Sequence, residues 1–398
     1  RGKKKELMEA ASDWPQWRGP NRDGRTAWLP SSLPPLPPLL WRQSLPGDGV
    51  GGIAAAEGVV VLGCRDATDT QDVFLGMDAD SGEMLWQLAY AAKGELDYGN
   101  SPRATPLIHD GLVYLFGAFG HLTCADVATG TILWQRNVAE DFGVPPLDWG
   151  LAGSPLLLDE RLFVQPGGVR GSIVAIEPYT GEDLWATGTA PPGHSSLVVA
   201  THPRGKQLVG YDKHSLGGWD PETGARLWTV TPANSGDFNV PTPIVFDDRI
   251  FVATENNGSR LYALQADGTL NSKPIAANED LYPDSHSPVR THGRIFGVSS
   301  GLHCLDPNSG LRTIWSEEES EFYEYAALIA SDDRLLCLTL DAQLILIDAT
   351  ASEYRELGRL KLATARRETY SHPALLGSRL YVRIGDELTC LDLEAAAP

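Results

Sequence analysis

One nine-residue pattern recurs along this chain and restricts its fold more than anything else in the sequence. The copy Asp126-Val127-Ala128-Thr129-Gly130-Thr131-Ile132-Leu133-Trp134 is the clearest. Others run from Asp78 to Trp86, Glu177 to Trp185 and Asp220 to Trp228, and a longer one from Asp306 to Trp315. In each, an apolar run ends in an acid. A cluster of small polar residues then turns the chain, with Gly free to take positive φ. A second run follows and carries a Trp near its start. That is strand, tight turn, strand. An indole buries roughly 150–250 Å², so one Trp per unit at a fixed place reads as packing between neighbouring units.

Unit 2 shows the whole repeat: strands over 104–109, 112–116, 121–125 and 131–136, joined by Asp110-Gly111, by Gly117 to Gly120 and by the turn above. Four antiparallel strands make one propeller blade. Unit 1 runs from about Gly52 to Leu88, unit 3 from Gly153 to Ala186 and unit 4 from Ser195 to Val230. Unit 5 begins at Pro241 and ends with Asp267-Gly268 and no Trp; unit 6 begins at Ser287 and ends past Trp315. Unit 7 begins at Ala326, with Tyr354 or Leu357 where the Trp should stand. Unit 8 begins at His372 and stops after Leu393, one strand short. The spacing of about 42–51 residues is that of four-stranded blades. An unpartnered strand around Trp41 supplies what unit 8 lacks, and pairing the two removes an open sheet edge. The expected fold is all-β: an eight-bladed β-propeller closed by its N-terminal strand. Residues 1–38 read as a tail and an irregular Trp/Pro-rich segment, and 39–398 as a single propeller domain. Trp14 and Trp17 should pin the irregular part onto a surface.

Composition excludes several roles. The net charge of −20 over 398 residues argues against nucleic acid, because nothing would displace phosphate counterions. No apolar run of about 18 residues offers a membrane span. Five cysteines with no CxxC or Cys-His spacing read as small buried hydrophobes; Cys124, Cys304 and Cys390 share one register, just before the acid of a turn. The first residue is Arg, so the expectation is a trimmed or processed chain whose export signal has gone. A monomer is expected.

The motif Ala-Asp-x-x-Thr-Gly-x-x-x-Trp, matched by residues 125–134, resembles the tryptophan-docking motif of the PQQ-binding-like, quinoprotein-type propeller family. Asp13-Trp14-Pro15-Gln16-Trp17-Arg18-Gly19-Pro20, Arg103-Ala104-Thr105-Pro106 and Gly117-Ala118-Phe119-Gly120 are similar to its exported, BamB-like bacterial members. The resemblance covers about 14–393 and implies a periplasmic or secreted protein. It does not settle function, since one fold hosts enzymes and scaffolds alike. Quinoprotein dehydrogenases of this class clamp PQQ between a Trp and often a disulfide of adjacent cysteines, beside Ca²⁺ held by Glu, Asn and Asp. No two cysteines here are adjacent, which speaks against PQQ. Glu255 and Asn256 are candidates for a cation such as Ca²⁺, though an amide-rich turn explains them as well.

A closed propeller gathers function where the loops entering the innermost strands meet. Those loops carry Asn100 and Arg103; Asp148 and Trp149; His194; Asp237 and Asn239; Tyr282, Asp284 and His286; Tyr323, Glu324 and Tyr325; and Arg366, Arg367, Glu368, Tyr370 and His372. Converging, they would form a polar, aromatic cup. His194, His286, His372, Tyr325 and Tyr370 are the candidates for acid–base chemistry, the others for ligand binding. The favoured role is a binding or scaffold protein taking a protein segment or glycan at this mouth. The alternatives are a carbohydrate-acting lyase or hydrolase using His and Tyr, with or without a divalent metal, and a PQQ-dependent dehydrogenase. The metal ligands and ligand identity are not specified by the sequence.

Overall fold

A four-stranded blade is stable only if its faces and edges are covered, and this chain covers them by closing a ring. The computed structural model describes residues 13–363 and 368–394. Among these, 32 strands form eight four-stranded antiparallel sheets. Seven blades use four consecutive strands. The eighth joins β1 (Leu39–Ser44) to β32 (Glu387–Asp392), with Trp41 opposite Cys390. The closing strand thus pairs where the strand count requires. The innermost strands of blades 8, 1 and 2 lie side by side.

The turn and its Trp do the joining. In blade 2 the Asp126 carboxylate accepts the Ala128 and Thr129 N–H groups and the Thr129 hydroxyl. Gly130 follows at φ +69. Its missing Cβ is needed twice, because a Cβ there would lie 2.8 Å from the Trp86 ring of the preceding blade. Trp86 lies over this turn and donates to Val127 O at 2.7 Å. Trp41, Trp134, Trp185 and Trp315 likewise donate to carbonyls of the next blade's turn. Trp228 is the exception: it donates to Gln207 Oε1, and Gln207 Nε2 reaches Gly268 O in blade 5.

Each docking indole also needs a small residue opposite it in the sheet. That residue is Gly76, Cys124, Ala175, Gly218, Cys304 or Cys390. This explains the shared register of three cysteines, and all five are buried and unpaired. In blade 7 the volumes are exchanged. A bulge at Leu346/Ile347 places Gly358 opposite Leu346, so neither Tyr354 nor Leu357 holds the Trp position. Leu33, from the Pro-rich segment, fills the gap: its backbone N lies 3.0 Å from where a Gly358 Cβ would stand. Leu33→Ala should therefore cost about 1–2 kcal/mol. Leu36→Ala, at a side chain 75% exposed, should cost nothing measurable; urea unfolding of the two variants checks this.

The segment from Trp14 to Thr26 is pinned inside the ring, on the innermost strands. Trp14 exchanges backbone hydrogen bonds with Ala55 of blade 1, and Pro15 O accepts Ile108 N–H of blade 2. Arg22 donates to Ser154 O and Pro155 O of blade 3 and Leu197 O of blade 4. Trp17 donates to Thr242 of blade 5, Arg18 to Pro288 O of blade 6. Gly24 and Thr26 bond Ala330 of blade 7, and Trp14 stacks on His372 of blade 8. One short segment thus touches all eight blades. The physical reason is that innermost strands are sheet edges, whose free backbone groups must find partners. No helix among the described residues is long and apolar enough to cross a membrane.

Candidate functional site

In an antiparallel blade, the loop entering the first strand and the loop joining the second to the third open at the same end. At that end of the ring all eight blades contribute to one cavity of about 650 Å³. Trp17, with His372 beside it at 5.2 Å, closes the cavity from below. The ring's channel is therefore a blind cup.

The structure brings ten of the sequence-predicted residues to the cup wall: Arg103, Trp149, His194, Tyr282, Asp284, Tyr323, Glu324, Tyr325, Tyr370 and His372. Six described ones stand off it. Asn100 donates to Asp69 and accepts the Leu96 N–H. Asp148 is exposed and its carbonyl accepts Asp97 N–H. Asp237 is buried and ties its loop to Thr254, Asn256 and Asn257. Asn239, 2% exposed, donates to Asp212 O and Lys213 O. His286, 1% exposed, holds Ala326 O through Nδ1. Glu368 is exposed outside the wall. Arg366 and Arg367 lie outside the described residues, as do residues 1–12.

Sequence reasoning missed Trp17, Asp97, Tyr98 and Phe238 as wall residues, and did not place Glu255 there. Glu255 sits on the loop between the second and third strands of blade 5, as Ser299 and Ser300 do in blade 6. The strand-direction rule above would have found these three. Trp17 carries no such signal.

The cup is electrically one-sided. Its wall carries Asp97, Asp284, Glu255 and Glu324. Arg103 is its one arginine or lysine, and that guanidinium is spent on the carbonyls of Trp149, Ser101, Asp97 and Gly99 at 2.7–3.2 Å. Burial lowers its pKa further. Burial also lowers His194 to about 4 and His372 to about 3, so both rings are neutral near pH 7. Tyr370 is pushed up, first by burial and then by carboxylates including Glu368 and Glu324. Glu255 Oε1 accepts Phe238 N–H at 2.6 Å. Its carboxyl is pushed up by burial and then by Asp237 and Asp284. Trp149 Nε1, His194 Nδ1 and Glu255 Oε2 are buried without protein partners. Buried polar atoms are rarely left so; here they border a cavity.

These residues do not fit a PQQ–calcium clamp. Among the described residues no three His, Cys, Asp or Glu side chains form a metal set. The cysteines are buried, unpaired and absent from the cup wall, and Asn256 does not line it.

Known proteins give the wider setting. A family profile described as "Outer membrane protein assembly factor BamB" matches residues 38–166 and 169–271, over half the chain. The outer membrane protein assembly factor BamB of Yersinia pestis is 26% identical over 178 residues, covering 44% of this chain and 40% of that protein. The quinohemoprotein alcohol dehydrogenase ADH-IIG of Pseudomonas putida is 26% identical over 163 residues, covering 37% of this chain and 22% of the enzyme. The matches thus span less than half the length of these curated relatives. The crystal structure of BamB from Moraxella catarrhalis superposes with a TM-score of 0.61 at 16% identity, covering 89% of this chain and 99% of that one; this is a likeness of fold. With blades, docking indoles and ring closure already in place, the profile match completes the assignment: the chain belongs to the β-propeller family described as outer membrane protein assembly factor BamB.

Proposed function

We propose that this protein is an exported propeller scaffold that holds a segment of another protein in its blind cup. The observation that carries this reading is the cup itself. It is closed below, walled by aromatic rings, and bordered by three buried polar atoms that lack protein partners. Such pockets suit a ligand that brings its own hydrogen-bonding groups. A carbohydrate-acting enzyme is less well served. Its two cup histidines are depressed to about 4 and about 3, so neither is an imidazolium acid near neutrality, and the acid of such a reaction would have to come from another group. A PQQ-dependent dehydrogenase is less well served too: the described cup wall carries neither adjacent cysteines nor Asn256. The relatives described as an outer membrane assembly factor support both the scaffold role and a periplasmic location.

The test uses the full chain, randomised capped hexapeptides and a glycan panel, read by calorimetry and tryptophan fluorescence. Peptides should bind saturably. Trp149→Ala should weaken that binding by about 2 kcal/mol, roughly thirtyfold in Kd, with the melting temperature nearly kept. Saturable glycan binding without peptide binding would give the cup to a sugar. Peptide binding that ignores Trp149→Ala would move the ligand elsewhere.

A further inference from the structure

One corner of the cup has a chemistry more specific than the rest. Phe238 and Trp149 meet edge to face, ring centroids 4.5 Å apart at 87°. Trp149 in turn meets His194 at 5.1 Å. The Phe238 backbone N–H holds one oxygen of Glu255. The other oxygen is buried without a partner. Asp284 lies in the same wall, and Asp237 is near enough to repel the Glu255 carboxylate. The cup's guanidinium, on Arg103, is already committed to four carbonyls. A desolvated carboxylate oxygen in a wall that also carries two perpendicular aromatic rings favours a cation that arrives with its own protons. A bare metal ion is not served, since no three-donor set is present among the described residues. The buried Trp149 Nε1–H also lacks an acceptor, so the ligand must offer an oxygen near its cation. A basic side chain on a peptide backbone has both.

We propose that this corner binds the lysine or arginine side chain of an extended peptide segment, with Glu255 Oε2 taking the cation, Phe238 and Trp149 flanking it, and a peptide carbonyl receiving the indole N–H. The inference rests on the reading that the cup holds a protein segment. It adds that the segment is recognised by its positive charge.

Two capped hexapeptide libraries with randomised flanks test it on the full chain, one with Lys fixed at the third position and one with norleucine there. Glu255→Gln is compared with wild type, its fold checked by its melting temperature; the Gln amide oxygen still accepts the Phe238 N–H. The Lys library should bind wild type about tenfold or more tightly than the norleucine library. In Glu255→Gln that preference should vanish while norleucine binding is unchanged. Equal binding of both libraries, or a lysine preference that survives Glu255→Gln, overturns the cation corner and leaves the protein-segment reading standing. No binding of either library, with or without binding of maltohexaose as a neutral glycan, overturns that reading and this inference together.

Discussion

Arg22→Ala should destabilise the protein by about 3–5 kcal/mol, although position 22 lies in a segment with no regular structure. Arg22 is 3% exposed and donates to three carbonyls, Ser154 O, Pro155 O and Leu197 O, at 2.7–3.0 Å. A fourth bond goes to the Gln16 side chain. Its removal strands three acceptors from two blades, at roughly 1–3 kcal/mol each. Burial without a carboxylate partner works the other way. It depresses the guanidinium to about 9, and relief of that cost offsets part of the loss. Arg22→Met separates the causes. It keeps volume but makes no hydrogen bond, so it should be nearly as damaging as Ala. Recovery to wild-type stability in Met would mean that Arg22 only fills space. Chemical denaturation at pH 7 measures all three proteins.

Stability should also fall steeply as pH drops from about 6.5 towards 4. Burial depresses His286 and His372 to about 3 and His194 to about 4. In the unfolded chain these rings take protons near their ordinary value of about 6.5. Between the two values the unfolded state binds more protons, so stability is full above about 6.5 and is lost as pH falls towards the folded values. Each histidine contributes about 1.4 kcal/mol per pH unit across that window. Asp72 acts in the opposite sense. Burial pushes its carboxyl up to about 6 despite its 2.7 Å bond to Arg65, so between about 6 and 3.8 it cancels roughly one histidine. From these four groups the expected slope is that of about two protons. Urea unfolding at pH 7, 6, 5 and 4.5 reads it. His286→Gln, whatever it does to stability at pH 7, should reduce the slope by about one proton. A slope unchanged in that variant would mean that the ring at 286 is not buried neutral.

These two predictions rest on features of very different visibility. The turn at Asp126–Gly130 and its Trp are local, because the acid, the Gly and the indole lie within nine residues and recur at blade spacing. Ring closure through Trp41 was legible for a related reason: a missing fourth strand and a spare one can be counted. The cup was half legible. Loop position placed Arg103, Trp149, His194 and Tyr370, but polarity cannot tell which way a loop side chain points. Asp237 and His286 have the same chemistry as wall residues, yet they turn inward to bond their own and neighbouring loops. Glu255 and Ser299 needed the direction of each strand, not only its existence.

From residue patterns alone, this chain was an eight-bladed ring of four-stranded sheets, sealed head to tail and carrying a polar mouth. Those properties follow from periodic, short-range chemistry, which is written in the order of the residues. Only the tertiary structure decided that Trp14 to Thr26 fills the ring, that Leu33 stands where a seventh-blade indole would be, and that the channel ends blind on Trp17. Each of these joins groups far apart in sequence through backbone carbonyls or exchanged volumes. Every residue has a carbonyl, and many side chains could fill a given gap, so no spacing in the sequence marks where such contacts will form.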